Sequence, residues 1–171
     1  VNSYKEVTCK GMLSASQLPL LTAGSSCGYL TVPEKHALYS KPASTKNIEI
    51  AVIKLASTSK NKQADPVVYL EGGPGGNASS MLAAVVETGT FLNDRDVYLV
   101  DQRGTGYSKP ALFCSEFDEA GTPEQLKACK TRLEGEGIDL TAYQSVQNAM
   151  DFIALRKALN ISQWNLYGSS Y

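Results

Sequence analysis

The chain has 171 residues, 43% of them hydrophobic and 19% charged, and a formal net charge of −1. That length and balance suit one globular domain with a real core. The charge gives no basic surface for nucleic acid, and no apolar run approaches the roughly 20 residues that cross a membrane.

Val1 to Lys5 reads as a mature or trimmed end, without signal-peptide features. Residues 1–27 are mixed, rich in Ser, Leu and Gly, and read as an N-terminal extension; the regular pattern occupies 28–171. Cys27 to Pro33 predicts a strand stopped by proline. Glu34 to Lys46 is polar and predicts a hairpin loop, with His36, the only histidine, solvated in it. Ile48 to Ala56 predicts a second strand, antiparallel to the first because a polar turn joins them without a crossover helix.

Pro66 to Leu70 is a short apolar run of the buried, parallel-sheet type. It leads into Glu71-Gly72-Gly73-Pro74-Gly75-Gly76. The Gly-Lys-Ser/Thr ending of a P-loop is absent, and the glycine spacing does not fit a dinucleotide fingerprint. An oxyanion loop or a tight strand-to-helix turn remains, and four glycines with a proline exceed what the turn needs. Asn77 to Leu92 predicts an apolar helix, capped by Asn77 or Ser79.

Asp96 to Asp101 predicts another buried strand, ending in Gln102-Arg103-Gly104-Thr105-Gly106. Asp101 and Arg103 at such an end could be catalytic; the favoured reading is a strut that hydrogen-bonds neighbouring loops. Thr122 and Pro123 mark a helix start. Glu134, Glu136 and Asp139 read as solvated surface. Thr141 to Leu159 predicts a strong helix, capped by Thr141 or Ser145, with Val146, Ala149, Met150, Ile153 and Ala154 as its apolar face and Phe152, Leu155 and Leu159 widening it. After Asn160 comes a last strand, Gln163 to Tyr167, and then Gly168-Ser169-Ser170-Tyr171. A strand that turns sharply at Gly-x-Ser-x-Gly holds a serine exposed as a nucleophile.

The four cysteines fall into two local pairs by spacing, Cys9 with Cys27 and Cys114 with Cys129. Neither has zinc or thioredoxin spacing, and with one histidine no metal or cofactor site is expected. Two disulfides in an oxidising compartment, secreted or periplasmic, are favoured over four buried thiols. Each bond would contribute about 3 kcal/mol in the chain-entropy model.

Three motifs now stand in order: Gly72-Gly73-Pro74-Gly75, then Asp101-Gln102-Arg103-Gly104-Thr105-Gly106-Tyr107-Ser108, then Gly168-Ser169-Ser170-Tyr171. The chain resembles the first half of an α/β-hydrolase, more narrowly the prolyl and tripeptidyl aminopeptidase branch, over about residues 28–171. Secreted members have a similar lead-in to Cys27-Gly28-Tyr29-Leu30-Thr31-Val32-Pro33. Glu71 stands where many prolyl members have His.

The resemblance implies a mostly parallel α/β sheet ending at the nucleophile elbow, with the cap domain and C-terminal half outside these residues. It implies Ser170 as nucleophile, backbone N–H groups of Gly73 and Tyr171 as the oxyanion hole, and a peptide with a free N-terminus as substrate. The triad Asp and His would come from a downstream segment or a second chain, so these residues alone are expected to be nearly inert. An uncovered strand edge leads us to expect the isolated chain to be unstable or to aggregate. An esterase or lactonase of the same fold, and an inactive fragment, are the alternatives.

Overall fold

The computed structural model describes residues 2–38 and 41–171. Val1 of the expected trimmed end, and residues 39 and 40 of the expected hairpin loop, lie outside the described residues. Six strands form one sheet: β1 (Ser3–Val7), β2 (Ser26–Pro33), β3 (Asn47–Leu55), β4 (Val67–Leu70), β5 (Val97–Val100) and β6 (Asn165–Gly168). Their spatial order is β1-β2-β3-β5-β4-β6. β1, β2, β3 and β5 pair antiparallel in turn, whereas β5, β4 and β6 run parallel. The expected antiparallel pairing of the first two predicted strands is the β2–β3 pair.

Among the described residues three α-helices lie between the strands: α1 (Leu82–Thr88) between β4 and β5, and α2 (Pro123–Gly135) and α3 (Ser145–Ala158) between β5 and β6. Strand alternation divides the core between the two faces of the sheet. Val67, Tyr69, Val97 and Leu99 pack with Leu82 and Val85 of α1. Val68, Tyr98 and Val100 pack with Ala154 and Leu155 of α3. A smaller cluster of Cys129, Leu133 and Ile138 holds α2 to its loop. Disulfides Cys9–Cys27 and Cys114–Cys129 are formed, with Cα separations of 5.1 and 5.3 Å. They are compatible with an extracellular location, and among the described residues no helix is long and apolar enough to cross a membrane.

Local chemistry explains most boundaries. Thr122 caps α2 in a capping box with Gln125, and Pro123 occupies the first turn. Asn160 takes a left-handed φ of 53° just past α3, which stops the helix.

Several expectations are corrected. Within the expected N-terminal extension, Ser3–Val7 forms a strand at the sheet edge. There the Tyr4 ring lies over Gly28, where a β-carbon would fall 2.4 Å from the ring. The predicted helix over Asn77–Leu92 is shorter: a 3₁₀ turn, Ala78–Met81, precedes α1, and Gly89 ends it with φ of 65°. The cap of α3 is Gln144, whose side chain accepts from Val146 N–H, not Thr141 or Ser145. The buried face of α3 is Gln147, Asp151, Ala154 and Leu155, while Val146 and Ile153 are exposed. The apolar pattern marks Ala154 and Leu155 of that face but not Gln147 and Asp151, which are polar and buried against partners from elsewhere.

Candidate active site

The parallel strands β4, β5 and β6 bring their carboxyl ends together, the place where α/β sheets build sites. From these ends leave the glycine loop, the Asp101 loop and the Ser170 turn.

Past the end of β6 the ladder continues for one residue, Ser169 N–H donating to Leu70 O at 3.0 Å. The chain then turns at Ser170, which has φ of 64° and an exposed side chain. A left-handed conformation costs a non-glycine residue roughly 1–2 kcal/mol. Such strain at an exposed serine is what a nucleophile elbow requires.

The glycine loop lies directly against this turn. A β-carbon on Gly72 would sit 2.6 Å from both Ser169 O and Tyr171 N, and 2.8 Å from Ser170 Cβ. Only glycine permits that approach. Gly76 N–H donates to Gly72 O at 2.9 Å, which fixes the plane of the Gly72–Gly73 peptide. In a planar trans peptide the N–H points opposite to the carbonyl, so the Gly73 N–H faces away from Gly76. Gly73 itself has φ of 120°, closed to side-chain-bearing residues. Among the described residues, neither the Gly73 nor the Tyr171 N–H finds an internal acceptor.

Asp101 directly follows β5 and is buried. Its carboxylate accepts from Ser79 N–H, Ser79 Oγ and Tyr107 N–H, each at 2.8 Å. Burial pushes its carboxyl above the usual range, against the pull of these hydrogen bonds. A β-carbon on Gly106 would fall 2.1 Å from Asp101 Oδ2, so the motif glycine makes room for the carboxylate. Asp101 thereby ties the exit of the glycine loop to its own loop.

Arg103 turns the other way. Its Nε and Nη2 donate to the two carboxylate oxygens of Asp151 at 2.8 and 2.7 Å, and Nη1 donates to the carbonyls of Glu34 and Ala142. Arg103 and Asp151 are both buried, so the guanidinium and carboxylate satisfy one another bidentately.

The reading of His36 as solvated is overturned. His36 is buried, and its Nε2 lies 2.6 Å from Asp151 Oδ1. Its backbone N–H donates to Gln147 Oε1 at 2.6 Å. Asp151 offers a carboxylate to two partners at once, and this draws the loop histidine into the protein. Sequence reasoning missed Asp151 and Gln147. Their one signal was two polar residues four apart within an otherwise apolar helix.

A cavity of about 280 Å³ opens beside the elbow, lined by Pro74, Gly75, Gln102, Thr105, Tyr143 and Tyr171 among others. A more apolar groove of about 660 Å³ adjoins it between α3 and β6, with Leu70, Phe152, Trp164 and Leu166 in its walls. The exposed Ser170, in its left-handed conformation, thus stands against Gly72 of the glycine loop, and Tyr171, Pro74 and Gly75 carry the two segments to the wall of the cavity.

A model of the alpha/beta hydrolase fold family matches residues 65–171, which include all three loops. The chain belongs to the alpha/beta hydrolase fold family. This hydrolase-fold chain is 33% identical over 159 residues to the protein named "Putative hydrolase YuaR" of Escherichia coli (strain K12), covering 85% of this chain and 31% of that protein. It is also similar to the crystal structure of proline iminopeptidase from Mycobacterium smegmatis, at 25% identity and a TM-score of 0.40, over 82% of this chain and 35% of that one. The hydrolase-fold chain thus spans about a third of the length of the curated relative it matches.

Proposed function

We propose that the full-length protein is a serine hydrolase, and specifically a secreted aminopeptidase of the prolyl or tripeptidyl type that releases residues from the free N-terminus of peptides. The observation that carries the hydrolase reading is Ser170, held exposed at φ of 64° with Gly72 packed against its turn. The peptidase reading rests on the three sequence motifs and their resemblance to that branch. The secreted reading rests on the two disulfides.

In this mechanism Ser170 Oγ attacks the scissile carbonyl and forms a tetrahedral intermediate. The Gly73 and Tyr171 N–H groups receive its oxyanion, each donor contributing about 3–4 kcal/mol in comparable sites. A histidine oriented by a carboxylate takes the serine proton and passes it to the leaving amine. His36 is committed to Asp151, so that pair would come from outside these 171 residues. Water then hydrolyses the acyl-enzyme.

The test is labelling of the full-length protein with a fluorophosphonate, followed by peptide mapping. Modification of Ser170, with cleavage of aminoacyl or tripeptidyl amides and resistance of their N-blocked forms, is the expected result. Turnover of short acyl esters without amide cleavage would replace the peptidase with an esterase or lactonase. An unlabelled Ser170 would end the hydrolase reading.

A further inference from the structure

We infer that Gln102 is a positioning residue of the glycine loop, bracing it against α3 so that its free amide meets the reacting carbonyl. The inference rests on the Ser170 reading above for its catalytic consequence, but the brace itself stands on geometry.

The orientation of the Gln102 amide follows from its partners. Glu71 O, the last carbonyl before Gly72, can only accept, so the atom 2.8 Å from it is the donor Nε2. Gln102 Oε1 therefore faces the other way and needs a donor. Asn148 Nδ2, near the start of α3, supplies it. One side chain thus links three consecutive pieces of the site: the loop after β4, the loop after β5, and the helix that precedes β6. Gln102 also borders both the 280 Å³ cavity and the 660 Å³ groove, where each meets Tyr171.

The loop needs such a brace. Gly72, Gly73, Gly75 and Gly76 have no side chains to anchor, and glycine backbone is the most freely rotating. Inside the loop, the Gly76 N–H to Gly72 O bond holds one peptide plane. At its exit, Asp101 holds Ser79. At its entry, Gln102 holds the Glu71–Gly72 peptide. Rotation of that peptide would also displace Gly72, which packs so closely on the elbow that a β-carbon there would lie 2.6 Å from Ser169 O and Tyr171 N. The loop would have to shift away from the elbow and take the Gly73 N–H with it. Misplacement of a reacting or stabilising group by about 1 Å costs on the order of 100-fold in rate.

The experiment compares full-length wild type with Gln102→Glu, Gln102→Ala and Asn148→Ala. Glutamate preserves size but cannot donate to Glu71 O. In Gln102→Glu and Gln102→Ala, kcat on the best amide substrate is expected to fall about 10- to 100-fold, with KM within about threefold. Affinity for a boronate transition-state analogue should fall by the same factor as kcat/KM, while a substrate-like amide inhibitor binds as before. A merely structural role would not separate those two ligands. Asn148→Ala, which leaves Gln102 its bond to Glu71, should give a smaller loss of the same kind. Amide hydrogen exchange over residues 71–77 should accelerate in the Gln102 variants and stay unchanged over β5 and α3. That readout does not depend on activity. A wild type unlabelled at Ser170 would remove the proposed function, and exchange would still decide the brace. Unchanged exchange over 71–77, or kcat within twofold of wild type in both Gln102 variants, overturns the inference.

Discussion

Gly72 and Ser170 stand so close that a β-carbon on the first would lie 2.8 Å from that of the second. The glycine loop and the elbow therefore pack directly against each other. Gly72→Ala would also meet Ser169 O and Tyr171 N at 2.6 Å, and both are backbone atoms that cannot swing aside. We expect a loss of about 1–3 kcal/mol in urea unfolding, as for overpacked sites. Fluorophosphonate labelling of Ser170 should slow at least about tenfold, since loss of one oxyanion donor costs more than that. Labelling at the wild-type rate would mean that the two segments move independently.

Ser170 carries backbone strain as well as a hydroxyl. Ser170→Ala removes the hydroxyl and keeps φ of 64° on a residue with a β-carbon. Ser170→Gly removes both. Glycine should be the more stable variant by about 1 kcal/mol, and both should be unlabelled and inactive. Chemical denaturation of the pair measures the strain directly; equal stabilities would show that the turn is relaxed.

The Arg103–Asp151 pair is buried, so removing one partner leaves an unpaired charge. Asp151→Ala should cost about 3–5 kcal/mol. His36→Ala should cost less, about 1–3 kcal/mol, because it removes one of the bonds to a carboxylate that Arg103 still holds. A double replacement, Arg103→Met with Asp151→Leu, should recover only part of the loss: no charge is then stranded, but His36 Nε2 and the Glu34 and Ala142 carbonyls lose their partners. Urea midpoints of the variants provide the comparison.

Asp96 predicts a pH effect. Its burial raises the carboxyl, but the Ser57 N–H, Lys62 and Lys54 outweigh that and hold it below the usual value of 3.8. A group depressed in the folded state stabilises the protein above its unfolded value, and that contribution is lost as pH falls through the folded one. Acidification below about pH 4 should therefore erode stability more steeply in wild type than in Asp96→Asn. Parallel acid limbs in thermal melts from about pH 5 to 2.5 would assign the loss to other carboxylates.

The Cys114–Cys129 bond spans 15 residues and closes a region whose own buried cluster is three residues. Replacing both cysteines by serine should cost about 3 kcal/mol. Limited proteolysis should then cut first between residues 113 and 137. Unaltered resistance there would show that α2 is held by packing alone.

Much of this was legible in the chain itself. Val67–Leu70 and Val97–Val100 announce buried strands through continuous apolar runs, and Thr122-Pro123 announces a helix start. These are short-range signals, because strand period and helix capping act within a few residues. The three loop motifs were equally readable, since the glycines they contain answer to local backbone demands. The tertiary structure alone decided what those motifs touch. Arg103 meets Asp151 across 48 positions, and His36 meets it across 115. Gln102 joins Glu71 to Asn148, and Gly72 closes on Ser170. Such pairings depend on the strand order β3-β5-β4-β6, which sets β4 between β5 and β6. No local rule contains that order. A buried carboxylate such as Asp151 looks, in sequence, like any polar residue on a helix; it becomes intelligible only when its cation arrives from the loop after β5.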